Sequence, residues 1–371
     1  MIVNKISLKN YRNYEKSIIK FNNGINIIIG DNAQGKTNIL ESIYFLALTK
    51  SYRTNDDRNL IQNNKESCTV IANIKVDNVP KKIQITLSNN LKKIFLNNYQ
   101  IKKLSNYIGI LNIVMVAPED IEIIKSSPTI RRNLLNIELS KLSQEYIKIY
   151  NEYSKLLKMR NDYLKLLMTS SIADERYFDV ITEKLIERAI YIYIERKSFI
   201  DDVNKYLTEI YSDISGIDDL HIEYIPNIEL NIYDKEDLRK KLKHQYYKYK
   251  QKEISLGMTL YGPHRDDFKF YIGDEDIRNF GSQGQQKIAI ISLKLSLIKV
   301  IYDRKNELPV LLLDDIFSEL DRKRKNKLIN YINNAGQVII TTNDIRDINM
   351  KKINNIKIFE IKNKTIIEKG D

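Results

Sequence analysis

A single cysteine, Cys68, rules out an internal disulfide and fits a reducing compartment. Long apolar runs are missing: none approaches the ~18 residues of a membrane span. The opening stretch MIVNKISLKNYRNYEKS alternates like a strand, where a secretory leader needs an unbroken apolar core. The expectation is a cytoplasmic protein without a membrane segment. The three histidines are scattered, which argues against a histidine-built metal centre. Glycine is also sparse, 12 in 371 residues, so the two places where it clusters carry information. These are GDNAQGKT (30–37) and FGSQGQQK (280–287).

What is present is ordinary for a folded chain: 43% apolar and 29% charged residues, with length enough for more than one domain. The formal charge is +12 and the pI about 9.3. Such an excess attracts polyanions, nucleic acid first among them. A general richness in Ile, Asn and Lys accounts for the same charge without any ligand, so charge alone does not decide.

Residues 1–9 and the apolar INIII (25–29) read as strands, the latter running through GDNAQGKT into a helix, NILESIYFLALTK. Further strands are expected near 68–76, 82–88, 94–97 and 111–116, with Asn-rich turns at 89–90 and 97–98. From 128 to about 211 apolar residues recur at spacings of three and four, interrupted by TSSIADE (169–175). Two long helices packed as a hairpin or a compact arm follow from that pattern; no heptad repeat is long enough for a coiled coil. Strand patterns return at 219–225 and 258–273, a strongly apolar helix at 284–303, a strand at 308–315, a helix at 319–334 and a strand at 337–342. Strands alternating with helices at both ends imply an α/β fold with a mostly parallel sheet covered on both faces. The expected division is 1–127 and 257–371 as two parts of one head, with 128–256 as a helical insertion.

GDNAQGKT satisfies the phosphate-loop pattern G-x-x-x-x-G-K-[ST] in full and in the right strand–helix context. Backbone N–H groups of Gly30, Asp31, Asn32, Ala33, Gln34 and Gly35 then wrap phosphate oxygens. Lys36 reaches the β- and γ-phosphates and Thr37 a Mg²⁺ ion. VLLLDD supplies the complement: Asp314 toward the metal, Asp315 toward the attacking water. FSELD (317–321) follows, with Ser318 a good helix N-cap. Ser282, Gln283, Gly284 and Gln285 sit at another helix start, where a hydroxyl, a bare backbone and the helix dipole favour an anion. Taken alone, that stretch reads by default as an ordinary capped helix beginning with Ser and Gly.

The order of these four motifs resembles that of the ABC-type ATPases. In that superfamily the Ser-Gly-Gly-Gln-like signature completes the nucleotide site of a partner subunit. The chain is identified more narrowly as similar to the RecF family, relatives of the SMC proteins, through LKNYRNY (8–14), GDNAQGKTNILESIYFLALTKSYRT (30–54), APEDIEIIKSSPTIRRNLL (117–135), YGPHRDDF (261–268), GSQGQQK (281–287) and LLLDDIFSELD (311–321). The resemblance implies an ABC-type ATPase head, a P-loop NTPase with a mixed sheet flanked by helices, carrying an inserted helical arm. It further implies ATP and Mg²⁺ as cofactors and an ATP-dependent homodimer with Ser282–Gln285 acting in trans. Hydrolysis would be slow and stimulated by DNA. The load would be duplex DNA or a gapped single-strand/double-strand junction, with RecR as partner and RecO and RecA indirectly. Arg12 and Asn13 would lie near the nucleotide.

Three departures from transporter-type ATPases stand out. Asp315 replaces the usual Glu, no Gln follows the strand in MVAPEDIE (Glu119 and Asp120 being the nearest candidates), and TTND (341–344) replaces the switch His, leaving Thr342 or Asn343 to sense the γ-phosphate. The alternatives are the ATPase subunit of a membrane transporter and a DNA-binding module that holds nucleotide without turnover. DNA contact is open between the basic, tyrosine-bearing KKLKHQYYKYKQK (240–252), Arg131 and Arg132, all of which also suit solvated helices, while Arg265 is expected to pair with its neighbouring acids.

Overall fold

The computed structural model describes residues 1–371 apart from 89–90, 170–173, 218, 231–232, 345–352, 354 and 370–371. In chain order, β1 (Ile2–Tyr11) and β2 (Tyr14–Lys20) precede β3 (Ile25–Ile29) and α1 (Lys36–Leu48). A meander follows, β4 (Ser67–Val76), β5 (Val79–Ser88), β6 (Leu91–Leu96) and β7 (Tyr99–Ile101), and then β8 (Ile113–Val116). Next come α2 (Glu122–Lys125), α3 (Pro128–Leu142), α4 (Gln144–Thr169) and α5 (Glu175–Ser215). After β9 (Leu220–Ile225) lie α6 (Lys235–Lys248), α7 (Lys250–Leu256), β10 (Asp267–Ile272), β11 (Glu275–Asp276) and α8 (Ile277–Phe280). The remaining elements are α9 (Gln283–Lys305), β12 (Val310–Asp314), α10 (Arg322–Asn333), β13 (Val338–Thr342), β14 (Ile356–Lys362) and β15 (Thr365–Lys369).

The chain forms two compact units, Met1–Ile121 with Glu209–Ile217 and Lys287–Asp371, and Glu122–Thr208 with Asp218–Gln286. Residues 257–286, placed with the head on sequence, thus lie in the helical unit. The first unit holds two six-stranded sheets. One runs β15-β14-β3-β13-β12-β8 and is parallel from β14 to β8, with β15 antiparallel at the edge. Its inner strands, INIII, VLLLD and VIITT, are almost wholly buried, as a sheet covered on both faces requires. The other, β2-β1-β4-β5-β6-β7, is antiparallel throughout. Its strands alternate buried and open positions, so one face packs and one is solvated. Two-residue turns with both φ angles positive, Asp77-Asn78 and Asn97-Asn98, close its hairpins as the primed turn types demand. The turn expected at 97–98 is present; the one at 89–90 lies outside the described residues.

α1 packs against strands of both sheets, and Ile39, Leu40, Ile43, Phe45 and Leu46 are fully buried in one core with Val70, Ile85, Leu312 and Ile339. Each such side chain contributes about 1.5–3 kcal/mol on burial. This core fixes the start of α1, and hence the phosphate-loop motif, at the end of β3.

In the second unit α4 and α5 run antiparallel: Arg188 meets Glu152, Arg160 meets Thr182, and Tyr163 stacks on Phe178. The expected hairpin is therefore present, while most of its expected break, 170–173, lies outside the described residues. α3, β9-β10-β11 and α6–α7 complete the unit. The expected strand at 258–273 is real only from Asp267; Pro263–Arg265 forms a 3-10 turn instead. That turn delivers Asp266, fully buried, to Arg196 Nη1 at 3.0 Å, the Tyr224 hydroxyl and the Asn227 N–H at 2.9 Å. Arg131 is 3% exposed and donates to both Asp267 oxygens (2.6 and 2.9 Å) and to the carbonyls of Ile123 and Ser126. It is neither solvated nor available to a phosphate, which corrects both sequence readings. Arg132 bonds the Asp266 carbonyl at 2.8 Å. Arg265 reaches Met258 sulfur and the Thr259 carbonyl, not the adjacent acids, because Asp266 and Asp267 are claimed by Arg196 and Arg131. Along 240–252, Lys241, Lys243 and Lys250 pair with Asp237, Glu183 and Glu175, as expected of solvated helices.

Candidate functional site

β3, β13 and β12 are adjacent and in register, so Ile29, Thr342 and Asp314 end together. The crevice beyond the carboxyl ends of parallel strands is where α/β sheets bind ligands. Each strand delivers one part of the site there: the glycine loop, the Thr-Thr-Asn turn and the acid pair.

The loop needs two residues with positive φ, Ala33 (64°) and Gly35 (106°). At Gly35 a Cβ would lie 2.5 Å from Asn13 Nδ2 and 2.8 Å from the Tyr14 hydroxyl, so the position requires glycine twice over. Asn13 Nδ2 donates to the Gln34 carbonyl at 3.1 Å and the Tyr14 hydroxyl to the Gly35 carbonyl at 3.1 Å. The short β1–β2 turn thereby braces the loop from outside. Lys36 Nζ donates to the Gly30 and Asp31 carbonyls at 2.6 and 2.9 Å and to Asn343 Oδ1 at 2.8 Å. Burial lowers the Lys36 ammonium below its ordinary pKa, against the opposing pull of Asp315, Asp314 and Asp31.

Asp314 is buried and gathers three hydroxyls. Thr37 Oγ1 donates to Oδ1 at 3.0 Å, Thr341 Oγ1 to the same oxygen at 2.6 Å, and the Tyr52 hydroxyl to Oδ2 at 3.0 Å. Burial first, then the Asp314 charge, keep the Tyr52 hydroxyl protonated well above its usual range. Asp315 sits in the left-handed region (φ 51°), with its N–H on Thr341 and its Oδ2 3.5 Å from Asn343 Nδ2. Asn343 therefore bridges the lysine of the loop and the second acid.

Arg12, with φ 51°, makes a two-pronged bond to buried Glu41 on α1 (2.8 and 2.5 Å), and Ser51 adds a third contact to that carboxylate. Asn13 also accepts from Asn38 at 2.8 Å. Arg12 thus attaches to the helix that follows the loop, and Asn13 to both the loop and that helix. Asp120 accepts from Lys294 (2.7 Å) and caps the Ala117 N–H, so its carboxylate is committed to structure.

Ser282, Gln283, Gly284 and Gln285 lie in the second unit, at the start of α9. The Ser282 hydroxyl accepts from the Gln285 N–H (3.2 Å) while Gln285 Oε1 accepts from the Ser282 N–H (2.8 Å). This is a reciprocal capping box. Gln286 anchors it from below through the Ile277 carbonyl at 2.9 Å, leaving Ser282 and Gln283 exposed. In FSELD the helix cap is Asp321, which accepts from the Arg324 N–H at 3.0 Å. Ser318 instead bonds back to the Asp315 carbonyl at 2.7 Å, because a 3-10 turn, Ile316–Glu319, intervenes before α10.

The donor set suits a magnesium–nucleotide. The first-turn N–H groups of α1 have no partners within the helix, an ammonium stands at the loop, and a hydroxyl–carboxylate pair, Thr37 and Asp314, lies beside it. One or two protein oxygens are what Mg²⁺ takes when phosphates supply the rest; among the described residues no cluster of three or more His, Cys, Asp or Glu forms a metal cage. Tyr52, Thr341 and Glu41 were not singled out on sequence. Tyr and Thr carry no motif signal, and their convergence depends on strand register.

Comparison with known proteins gives one answer. The RecF/RecN/SMC N terminal domain family matches residues 2–367. The DNA replication and repair protein RecF of Bacillus cereus (strain G9842) is 40% identical over 371 residues, covering 99% of this chain and 98% of the relative. RecF of Bacillus thuringiensis (strain Al Hakam) is 39% identical over the same extent. Among solved structures, the recombination mediator protein RecF with ATP, of the RecFOR pathway, superposes with a TM-score of 0.91 at 30% identity, over 99% of this chain and 97% of that one. The Smc head bound to the C-winged helix domain of ScpA matches at a TM-score of 0.57 and 17% identity, over 99% of this chain and 97% of that one, a likeness of fold alone.

Proposed function

The chain belongs to the RecF family of DNA replication and repair proteins, built on the SMC-related ABC-type ATPase head, and from that premise we propose that it is an ATP-dependent DNA-binding protein of recombinational repair. The observation that carries the reading is the convergence of Lys36, Thr37–Asp314 and Asn343–Asp315 at the ends of three neighbouring parallel strands. The loop N–H groups of residues 30–37 and the Lys36 ammonium hold the triphosphate, with Arg12 and Asn13 supporting the loop. Thr37 and Asp314 hold Mg²⁺, which when bound neutralises charge on the phosphate oxygens. Asp315 orients water toward the γ-phosphate. Its carboxylate is one methylene shorter than a glutamate, which fits slow hydrolysis used as a switch.

Ser282, Gln283, Gly284 and Gln285 of a second copy close on the same nucleotide, so ATP joins two chains and the dimer clamps duplex or gapped DNA in the cytoplasm. RecR, with RecO and RecA beyond it, are the partners this role calls for. The match to repair proteins over 99% of the chain leaves the transporter reading without support. Among the described residues no helix is long and apolar enough to cross a membrane.

The deciding experiment measures binding of a fluorescent ATP analogue and of gapped duplex with and without ATP, for the unaltered chain and Lys36→Met. Loss of nucleotide binding together with loss of ATP-dependent DNA binding is expected. DNA binding indifferent to both ATP and Lys36→Met would overturn the reading.

A further inference from the structure

The solvated face of the antiparallel sheet carries a charge pattern that folding does not explain. Cross-strand register places its outward side chains in three parallel rows. The first is Lys16, Lys9, Thr69, Thr86 and Lys93; the second Ile18, Ser7, Ile71, Gln84 and Phe95; the third Lys20, Lys5, Asn73 and Lys82. Two lysine-bearing rows therefore flank a neutral one, and none of the three contains a carboxylate. Successive strands stand about 4.8 Å apart and the outer rows lie about 13 Å apart, so the field covers roughly 19 by 13 Å.

Lys9 faces Lys16 directly and Lys5 faces Lys20. Like charges opposite each other destabilise a sheet, and among the described residues none of these six lysines has a carboxylate partner. The basic helices at 240–252 differ, since acids answer several of their lysines. A shallow groove of about 720 Å³ crosses the same face beside Lys9, Lys16 and Ile18.

We propose that this face is the surface on which the chain holds duplex DNA, through the phosphate backbone. The inference rests on the DNA-binding reading above and locates it. Unanswered positive charge in a flat, rigid array complements a polyanion of fixed charge spacing. Lysine presents a mobile point charge, without the planar fork that reads bases, so contact is with phosphates and independent of sequence. The neutral middle row, with Ile18, Ile71 and Phe95, gives the lysine stems an apolar bed.

The test is the salt dependence of duplex binding by the full chain with ATP, before and after the triple change Lys5→Gln, Lys9→Gln, Lys16→Gln. Each lost phosphate contact lowers the slope of log K against log salt by about 0.9. The triple variant should lose a slope of about two to three and bind about ten- to a hundredfold more weakly. Its nucleotide binding should hold and its melting temperature should hold or rise as the like-charge pairs are relieved, and Lys240→Gln, Lys248→Gln, Lys252→Gln should change the slope far less. If the triple variant misfolds, Lys9→Gln and Lys16→Gln alone should each lower the slope by about one. Unchanged slope and affinity in the variants would overturn the surface while leaving the DNA-binding reading intact. No duplex binding by the unaltered chain would remove that reading itself. Lysine-dependent capture by phosphatidylserine vesicles in preference to duplex would assign the face to a membrane and overturn the proposal.

Discussion

At the scale of single residues, the helical unit carries buried charges whose partners are fixed by its packing. Arg196 and Asp266 are both essentially inaccessible and meet at 3.0 Å, and the Tyr224 hydroxyl and the Asn227 N–H also donate to the acid. Asp266→Asn leaves the guanidinium without its counter-charge and should cost about 3–5 kcal/mol in urea unfolding. His264 behaves differently. Its Nε2 donates to the Thr259 carbonyl at 3.2 Å, and in the neutral ring Nδ1 accepts from the Tyr153 hydroxyl at 2.6 Å. Burial pushes its pKa down to about 4, the bond to Thr259 opposing. The unfolded imidazole takes up its proton near 6.5. Between those values the unfolded chain binds a proton that the fold refuses, so stability falls as pH drops through that window and is complete above it. The loss from this group at roughly pH 5 is about 2 kcal/mol. His264→Gln should flatten the urea midpoint between about pH 7.5 and pH 5 by that amount, and an unaltered pH dependence would show that the ring titrates normally.

At the scale of elements, what sequence pattern revealed and what it hid have different physical origins. β3, α1, β12 and β13 were legible because buried parallel strands are short apolar runs and the turns between them carry diagnostic glycines and acids. β2, β14 and β15 were not, since edge and half-solvated strands such as YEKSIIK carry charges that resemble loops. The stretch before Asp267 misled in the opposite direction: its apolar residues pack a 3-10 turn around Asp266 and form no ladder. Helix ends were legible to within a few residues, and so was the Ser282 cap of α9, but the cap of α10 was not. Asp321, rather than Ser318, holds α10, and Asp321→Ala should cost about 1 kcal/mol while leaving nucleotide binding intact. Gly35→Ala should do the reverse. A side chain there collides with Asn13 and Tyr14 and opposes φ 106°, so nucleotide affinity should fall at least about tenfold in a fluorescence titration with a smaller change in melting temperature.

For the whole molecule, the sequence announced the parts of the candidate site more clearly than their assembly. Lys36, Thr37, Asp314 and Asp315 meet as their motifs implied, whereas Arg131 turned out to be an internal strut, because burial depends on tertiary packing that a local pattern does not encode. The role of Ser282 belongs to this scale as well. It stands exposed at the tip of a capped helix, and in the proposed dimer it touches another chain's nucleotide. Ser282→Arg should therefore spare ATP binding by the single chain and abolish ATP-driven dimerisation in sedimentation. A variant that still dimerises would place the contact elsewhere.

β13 lies between the strand that ends in the glycine loop and the strand that ends in the acids. The backbones of those two jaws consequently stand two strand spacings apart, roughly 10 Å, a gauge set by hydrogen-bonded backbone and closed to 3.0 Å by the side chains of Thr37 and Asp314. Changes in loop length leave that gauge alone, and only a fault in the lattice of the sheet itself can reset it.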